Sequence, residues 1–130
     1  LNNVIFPLNL EDLYLQGNQI RELEGVSFPQ NLHKLNLNNN QIQNLNNVIF
    51  PLNLEDLYLQ DNQLDWLDDV SFPQNLHNLN LNNNPIRTLN NVIFPLNLEY
   101  LCIKNIEFFD LNYHYLERLR FNHPNLIIEY

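Results

Sequence analysis

Leucines recur along this chain in a fixed phrase, Leu-x-x-Leu-x-Leu, with an asparagine before it and another three residues after it. The phrase spans Asn9 to Asn18, Asn31 to Asn40, Asn53 to Asn62 and Asn75 to Asn84. In each copy the second and third leucines stand two residues apart: Leu13/Leu15, Leu35/Leu37, Leu57/Leu59 and Leu79/Leu81. That spacing puts them on one face of a β-strand of about three residues. A second apolar set follows each phrase, Leu23, Val26 and Phe28 in one copy and Leu45, Val48 and Phe50 in the next. Phe6, Phe28, Phe50, Phe72 and Phe94 are expected to stack as a column through the core. Proline follows each of them, and since proline donates no hydrogen bond and disfavours helix in the residue before it, the return path is expected to be extended or 3₁₀-like.

The pattern is a true repeat. Residues 1–16 recur unchanged at 45–60, and residues 89–99 repeat 1–11; the 44-residue period splits into two units of 22. One short strand cannot bury its apolar side alone, so such units stack on one another as a parallel sheet. Asn18, Asn40, Asn62 and Asn84 fall where the chain leaves each strand, and buried amides there can satisfy the backbone of adjacent turns.

With these residues in hand, the chain resembles the leucine-rich repeat family, whose consensus opens Leu-x-x-Leu-x-Leu-x-x-Asn; the likeness runs over residues 1–106. The resemblance implies an α/β, mostly β, solenoid: an arc or horseshoe with a parallel sheet on the concave face and a C-terminal helical cap. It is read as a single domain, with a partial repeat at 1–8, full repeats at 9–30, 31–52, 53–74 and 75–96, and a divergent repeat with the cap at 97–130.

Beyond residue 105 the phrase breaks, because Ile106 takes the place of the ladder asparagine. Asp110 can cap a helix to about Phe121, with Leu111, Tyr115, Leu116 and Leu119 on one face. His123-Pro124 ends it, and Leu126–Tyr130 reads as a last strand. The first strand, near Asp12–Leu15, is expected to have an open edge, either covered by residues upstream of Leu1 or free to pair in an assembly. The absence of methionine points to a chain that starts downstream of its initiator.

Composition narrows the partners. The net charge of −9 disfavours nucleic acid and an anionic membrane. No 18-residue apolar stretch is present. Leu and Asn each occur 27 times and Ala not at all, a bias typical of an AT-rich genome. One cysteine, Cys102, cannot form an internal disulfide, which favours an intracellular, cytoplasmic protein or one delivered into or assembled in a host cytoplasm. Catalysis is not expected. Ser27 and Ser71 have no convergent histidine and acid, Cys102 has no histidine in its column, and two glycines cannot build a phosphate loop.

Binding is. In such a stack the residues between the strand leucines form columns on the concave face: Tyr14, Asn36, Tyr58, Asn80 and Cys102; Gln16, Asn38, Gln60, Asn82 and Lys104; Asp12, Lys34, Asp56, Asn78 and Tyr100. Tyrosines alternating with amides suit an extended peptide or a protein edge. The 44-residue halves differ mainly at 17–25 against 61–69, where Trp66 appears among Asp65, Asp68 and Asp69 as a candidate rim contact. The expected surface is Asp12, Tyr14, Gln16, Lys34, Asn36, Asn38, Asp56, Tyr58, Gln60, Trp66, Asn80 and Tyr100. A fourth column, Glu11, His33, Glu55, His77 and Glu99, raises metal binding or pH sensing against the plainer reading of an exposed ladder; no metal or cofactor is expected. The function read from the chain is a non-enzymatic module that binds a protein or peptide. The alternatives are a structural component, homo-oligomeric or assembled through its N-terminal edge, and the recognition arm of an enzyme domain elsewhere.

Overall fold

The computed structural model describes residues 1, 3–89, 91–106 and 113–130. Asp12–Tyr14 (β1), Lys34–Asn36 (β2), Asp56–Tyr58 (β3), Asn78–Asn80 (β4), Tyr100–Cys102 (β5) and Ile127–Glu129 (β6) form one six-stranded parallel sheet in chain order. Each full repeat moves the register by one unit, so Leu13 pairs with Leu35, Leu35 with Leu57 and Leu57 with Leu79. Backbone pairing continues past both strand ends. The Glu11 carbonyl accepts from the N–H groups of His33 and Lys34, and the N–H of Leu37 donates to Tyr58 O at 2.9 Å.

Alternation sorts the side chains as the spacing predicts. Leu35, Leu57 and Leu79 are fully buried, and the strand residues flanking them are half-buried on the other face. Behind the sheet the phenylalanines stack in a continuous column. Successive ring centroids stand 6.2, 6.5, 6.4 and 6.1 Å apart, with planes within 16° of parallel. The return path carries no helix among the described residues of the repeats; tight turns bring it round, such as Val26 N–H to Leu23 O and Leu32 N–H to Pro29 O. It is extended with turns rather than 3₁₀.

The asparagine ladder bonds from turn to turn. The Asn62 amide nitrogen donates to Leu37 O and Leu59 O, both at 3.0 Å, while its oxygen accepts from Ile42 N–H at 3.0 Å. Asn40 and Asn84 repeat the scheme. Asn18, at the exposed end, bonds only to its own turn through Leu15 O and Gln16 O. A second set, not anticipated, uses the asparagine that opens each repeat: Asn53, Asn75 and Asn97 donate to the carbonyls of Gln30, Leu52 and Gln74 in the repeat before.

Two turn positions per repeat are left-handed. Gly17, Asn39, Asp61, Asn83 and Asn105 form one column with φ of 52–68°; Asn3, Gly25, Asn47 and Asp69 form the other, with φ of 56–72°. Glycine, asparagine and aspartate are the residues that adopt this conformation most readily. At Gly17 and Gly25 a Cβ would meet nothing within 4 Å, so it is the dihedral and not crowding that selects them.

The cap helix, Tyr113–Asn122 (α1), buries Tyr115, Leu116 and Leu119. It stops before His123-Pro124, and the chain then pairs β6 with β5, aligning Cys102 with Glu129. The expected cap at Asp110 and the first apolar residue at Leu111 lie outside the described residues.

Candidate binding face of the sheet

Five strands of identical pitch bring eleven of the twelve expected contact residues onto or immediately beside one sheet face. Asp12, Lys34, Asp56, Asn78 and Tyr100 are in register, as are Tyr14, Asn36, Tyr58, Asn80 and Cys102. Gln16, Asn38, Gln60 and Asn82 follow the strands, where Gly17 N–H donates to Asn38 O and Asp61 N–H to Asn82 O. Trp66 does not join this face. It lies on the turn between buried Leu64 and Leu67, past the ladder residue Asn62, and is 49% exposed.

The first column is wired across strands. Lys34 Nζ is 3.2 Å from Asp56 Oδ2, and Asn78 donates to the other Asp56 oxygen. Hydrogen bonding to Asp56 and its charge hold the Lys34 ammonium above its ordinary range. Burial, then the Asp56 charge, raises the Tyr58 phenol. Lys34 and Asp56 are thus paired within the face, and its exposed chemistry is that of the Asp12 carboxylate, phenols and amides.

In the second column asparagine and tyrosine differ in how they are held. The side-chain oxygens of Asn36 and Asn80 accept from the N–H groups of Asn38 and Asn82 at 3.1 and 3.0 Å, which ties them to their own turns. Tyr14 is 54% exposed, whereas Tyr58 is half-buried like Asn36 and Asn80. In the third column the side-chain oxygens of Asn38, Gln60 and Asn82 are buried with no hydrogen-bond partner among the described residues.

The C-terminal end is closed by a residue that the repeat pattern does not flag. Glu129, on β6, takes Lys104 at 2.8 Å and approaches Cys102 Sγ at 3.9 Å. Hydrogen bonds from Lys104 and then Tyr100 keep its carboxyl below the ordinary carboxylate range. Burial, followed by the Glu129 contact, pushes Tyr100 up to about 12. Cys102 is buried, so the surface column ends at Asn80. The signal was available in the alternation of Ile127, Ile128 and Glu129, but its register against β5 was not.

A register-locked parallel ladder with a 22-residue step and an internal asparagine at each turn now stands beside a sequence comparison. The profile of the family described as Leucine rich repeat matches residues 9–64. Together they fit a leucine-rich repeat protein. Leucine-rich repeat domains generally mediate protein–protein interaction and are typically non-enzymatic. No curated protein sequence matches the chain.

The remaining candidates are dispersed along the array. Glu11, His33, Glu55, His77 and Glu99 run along the strand entrances, where their carbonyls serve the ladder. Among the described residues no group of three or more His, Cys, Asp or Glu side chains could hold a metal ion. Ser27 and Ser71 are exposed on the return path of the leucine-rich repeats. No described helix is long and apolar enough to cross a membrane.

Proposed function

We propose that this array is a non-enzymatic interaction module whose sheet face takes an extended segment of a protein partner. The observation that carries it is the in-register column in which the phenols of Tyr14 and Tyr58 alternate with amides pinned to the backbone at Asn36 and Asn80. Tyrosine supplies contact area with few rotors to immobilise, and a segment laid across the strands meets the same chemistry at every second step. The inward amide oxygens of Asn38, Gln60 and Asn82 add acceptors that a partner's N–H groups can satisfy when the side chains swing outward.

Curvature supports the same face. Paired strands stand about 4.8 Å apart, whereas the phenylalanine column advances 6.1–6.5 Å per repeat. A stack that is wider behind than in front bends with its sheet inside, which favours a long ligand lying along the arc. Trp66 belongs to a separate surface and contributes as a neighbouring contact at most.

The test uses residues the array already tolerates. Peptides selected from a displayed library against the intact chain are expected to lose at least about tenfold in affinity for Tyr14→Asn/Tyr58→Asn, the residue found at positions 36 and 80. Trp66→Ala is expected to cost less. Binders indifferent to the tyrosine pair but abolished by Trp66→Ala would overturn the reading.

A further inference from the structure

The return path holds a surface that the sheet does not use. In every repeat the segment entering the next strand reads Val-x-Phe-Pro-x-Asn, at 4–9, 26–31, 48–53, 70–75 and 92–97. The two variable positions alternate: Ile5 and Leu8, then Ser27 and Gln30, then Ile49 and Leu52, then Ser71 and Gln74, then Ile93 and Leu96. The phenylalanines between them point into the core, which leaves the variable pair outside. The six aliphatic residues are each at least 72% exposed.

Not one of the 30 residues in these five segments is Asp, Glu, Lys or Arg, in a chain of net charge −9. The strip is thus uncharged and carries six exposed aliphatic side chains. Three Ile/Leu pairs recur at every second repeat, at twice the 6.1–6.5 Å advance of the phenylalanine column. A pattern of that kind matches itself when reversed. Ile5/Leu8 of one copy falls on Ile93/Leu96 of another, Ser27/Gln30 falls on Ser71/Gln74, and Ile49/Leu52 meets its own copy at the centre.

We propose that this strip is a homodimer interface, in which two copies pack strip to strip in antiparallel order about a twofold axis at Ile49 and Leu52. Such an axis makes the contact isologous and closed. Six aliphatic side chains of on the order of 100 Å² each bring roughly 500 Å² of apolar surface per copy. With Pro7 and the exposed serines and glutamines between them the contact stays below the ~800 Å² per partner of a standard interface, in the range of a weak, concentration-dependent dimer. The absence of charge leaves no like charges directly opposed within the strip.

The ends of the strip favour the antiparallel order. At one end the return path and α1 enclose an open cleft of about 600 Å³, lined by Ile93, Leu96, Tyr115, Arg118 and Leu119. At the other, Val4, Ile5, Leu8 and Val26 line an open cleft of about 490 Å³. Reversal sets the helix of each copy against the Ile5/Leu8 end of its partner. A parallel pair would force the two α1 helices, with Arg118 and Arg120, together. The sheet face stays open in the dimer, so this interface and peptide binding stand or fall separately.

The substitution that tests the interface is already part of the fold, because Ser and Gln occupy the equivalent positions in alternate repeats. Light scattering of the full chain from roughly 1 to 300 µM is expected to show a monomer–dimer equilibrium. Ile49→Ser/Leu52→Gln, whose loss counts twice at the axis, is expected to weaken it by at least about tenfold. Tyr58→Asn is expected to leave it unchanged. For the order, Ile5→Cys mixed with Ile93→Cys is expected to form a disulfide-linked dimer, and Ile5→Cys alone is not. A monomer throughout, or association that ignores Ile49→Ser/Leu52→Gln, would overturn the interface. Association lost in Tyr58→Asn would move the contact to the sheet, and self-crosslinking of Ile5→Cys would overturn the antiparallel order.

Discussion

Replacing Asn62 with alanine removes one ladder amide from the middle of the stack, and the outcome can be worked from its bonds. Ile42 N–H, on a fully buried residue, loses its acceptor at 3.0 Å and is left without a partner. Leu37 O and Leu59 O each lose one donor but keep another, from Asn40 and Asn84. A buried unsatisfied donor costs about 1–3 kcal/mol, and each of the two other lost bonds about 0.5–1.5 kcal/mol, for a total of roughly 2–6 kcal/mol. Asn18 supplies the internal control. It occupies the same position in the sequence, but it is exposed and bonds only to its own turn. Asn18→Ala is expected to cost no more than about 1 kcal/mol. Urea denaturation followed by far-ultraviolet circular dichroism compares the two midpoints at matched slope. Equal losses at Asn18 and Asn62 would refute the reasoning, because the bonds between turns would then carry no weight beyond the local turn.

Other expectations follow from the same stack. Phe50→Ala, which takes out a buried ring between neighbours at 6.5 and 6.4 Å, is expected to lose about 3–5 kcal/mol and shift the thermal midpoint accordingly. At the left-handed position 39 (φ 53°), Asn39→Gly is expected to be neutral or stabilising by up to about 1 kcal/mol and Asn39→Ala to destabilise by about that amount, read by the same urea midpoints. Burial holds the His123 imidazole below its ordinary 6.5, so the unfolded chain takes up a proton that the folded chain resists. Stability is therefore full above about pH 6.5 and falls as pH drops through the lower folded value. The fall in melting temperature is expected to vanish in His123→Gln and to persist in His33→Gln/His77→Gln; the reverse would return the effect to the Glu/His column.

The strands, their register and the phenylalanine column were legible because each follows from spacing alone. Leu13 and Leu15 must share a face, and a 22-residue step must carry Leu13 onto Leu35. The asparagine ladder was legible from its place at the strand exit. What spacing does not show is the dihedral at a turn. The column Gly17, Asn39, Asp61, Asn83, Asn105 reads as loop polarity until a positive φ explains why those three residue types interchange. Nor does it show where the chain lands after the repeat breaks, so Glu129 was missed and Cys102 was placed on the surface. Trp66 drew attention because the two halves diverge there, and it stands half-exposed in the loop beyond the strand rather than on the sheet itself. The aliphatic strip escaped notice for the opposite reason: Ile49 and Leu52 sit in an apolar phrase, and only their exposure separates them from the core residues around them.

The alternation of Ile/Leu with Ser/Gln has a consequence for how such an array can change length. Gain or loss of 44 residues preserves the beat, and two chains that differ in length by that amount still pair over their shared span. Gain or loss of a single 22-residue unit is silent for the core, since every buried position recurs at that step. On the outside it sets Ile against Ser from the point of insertion onward. The fold thus counts in ones and its flank counts in twos.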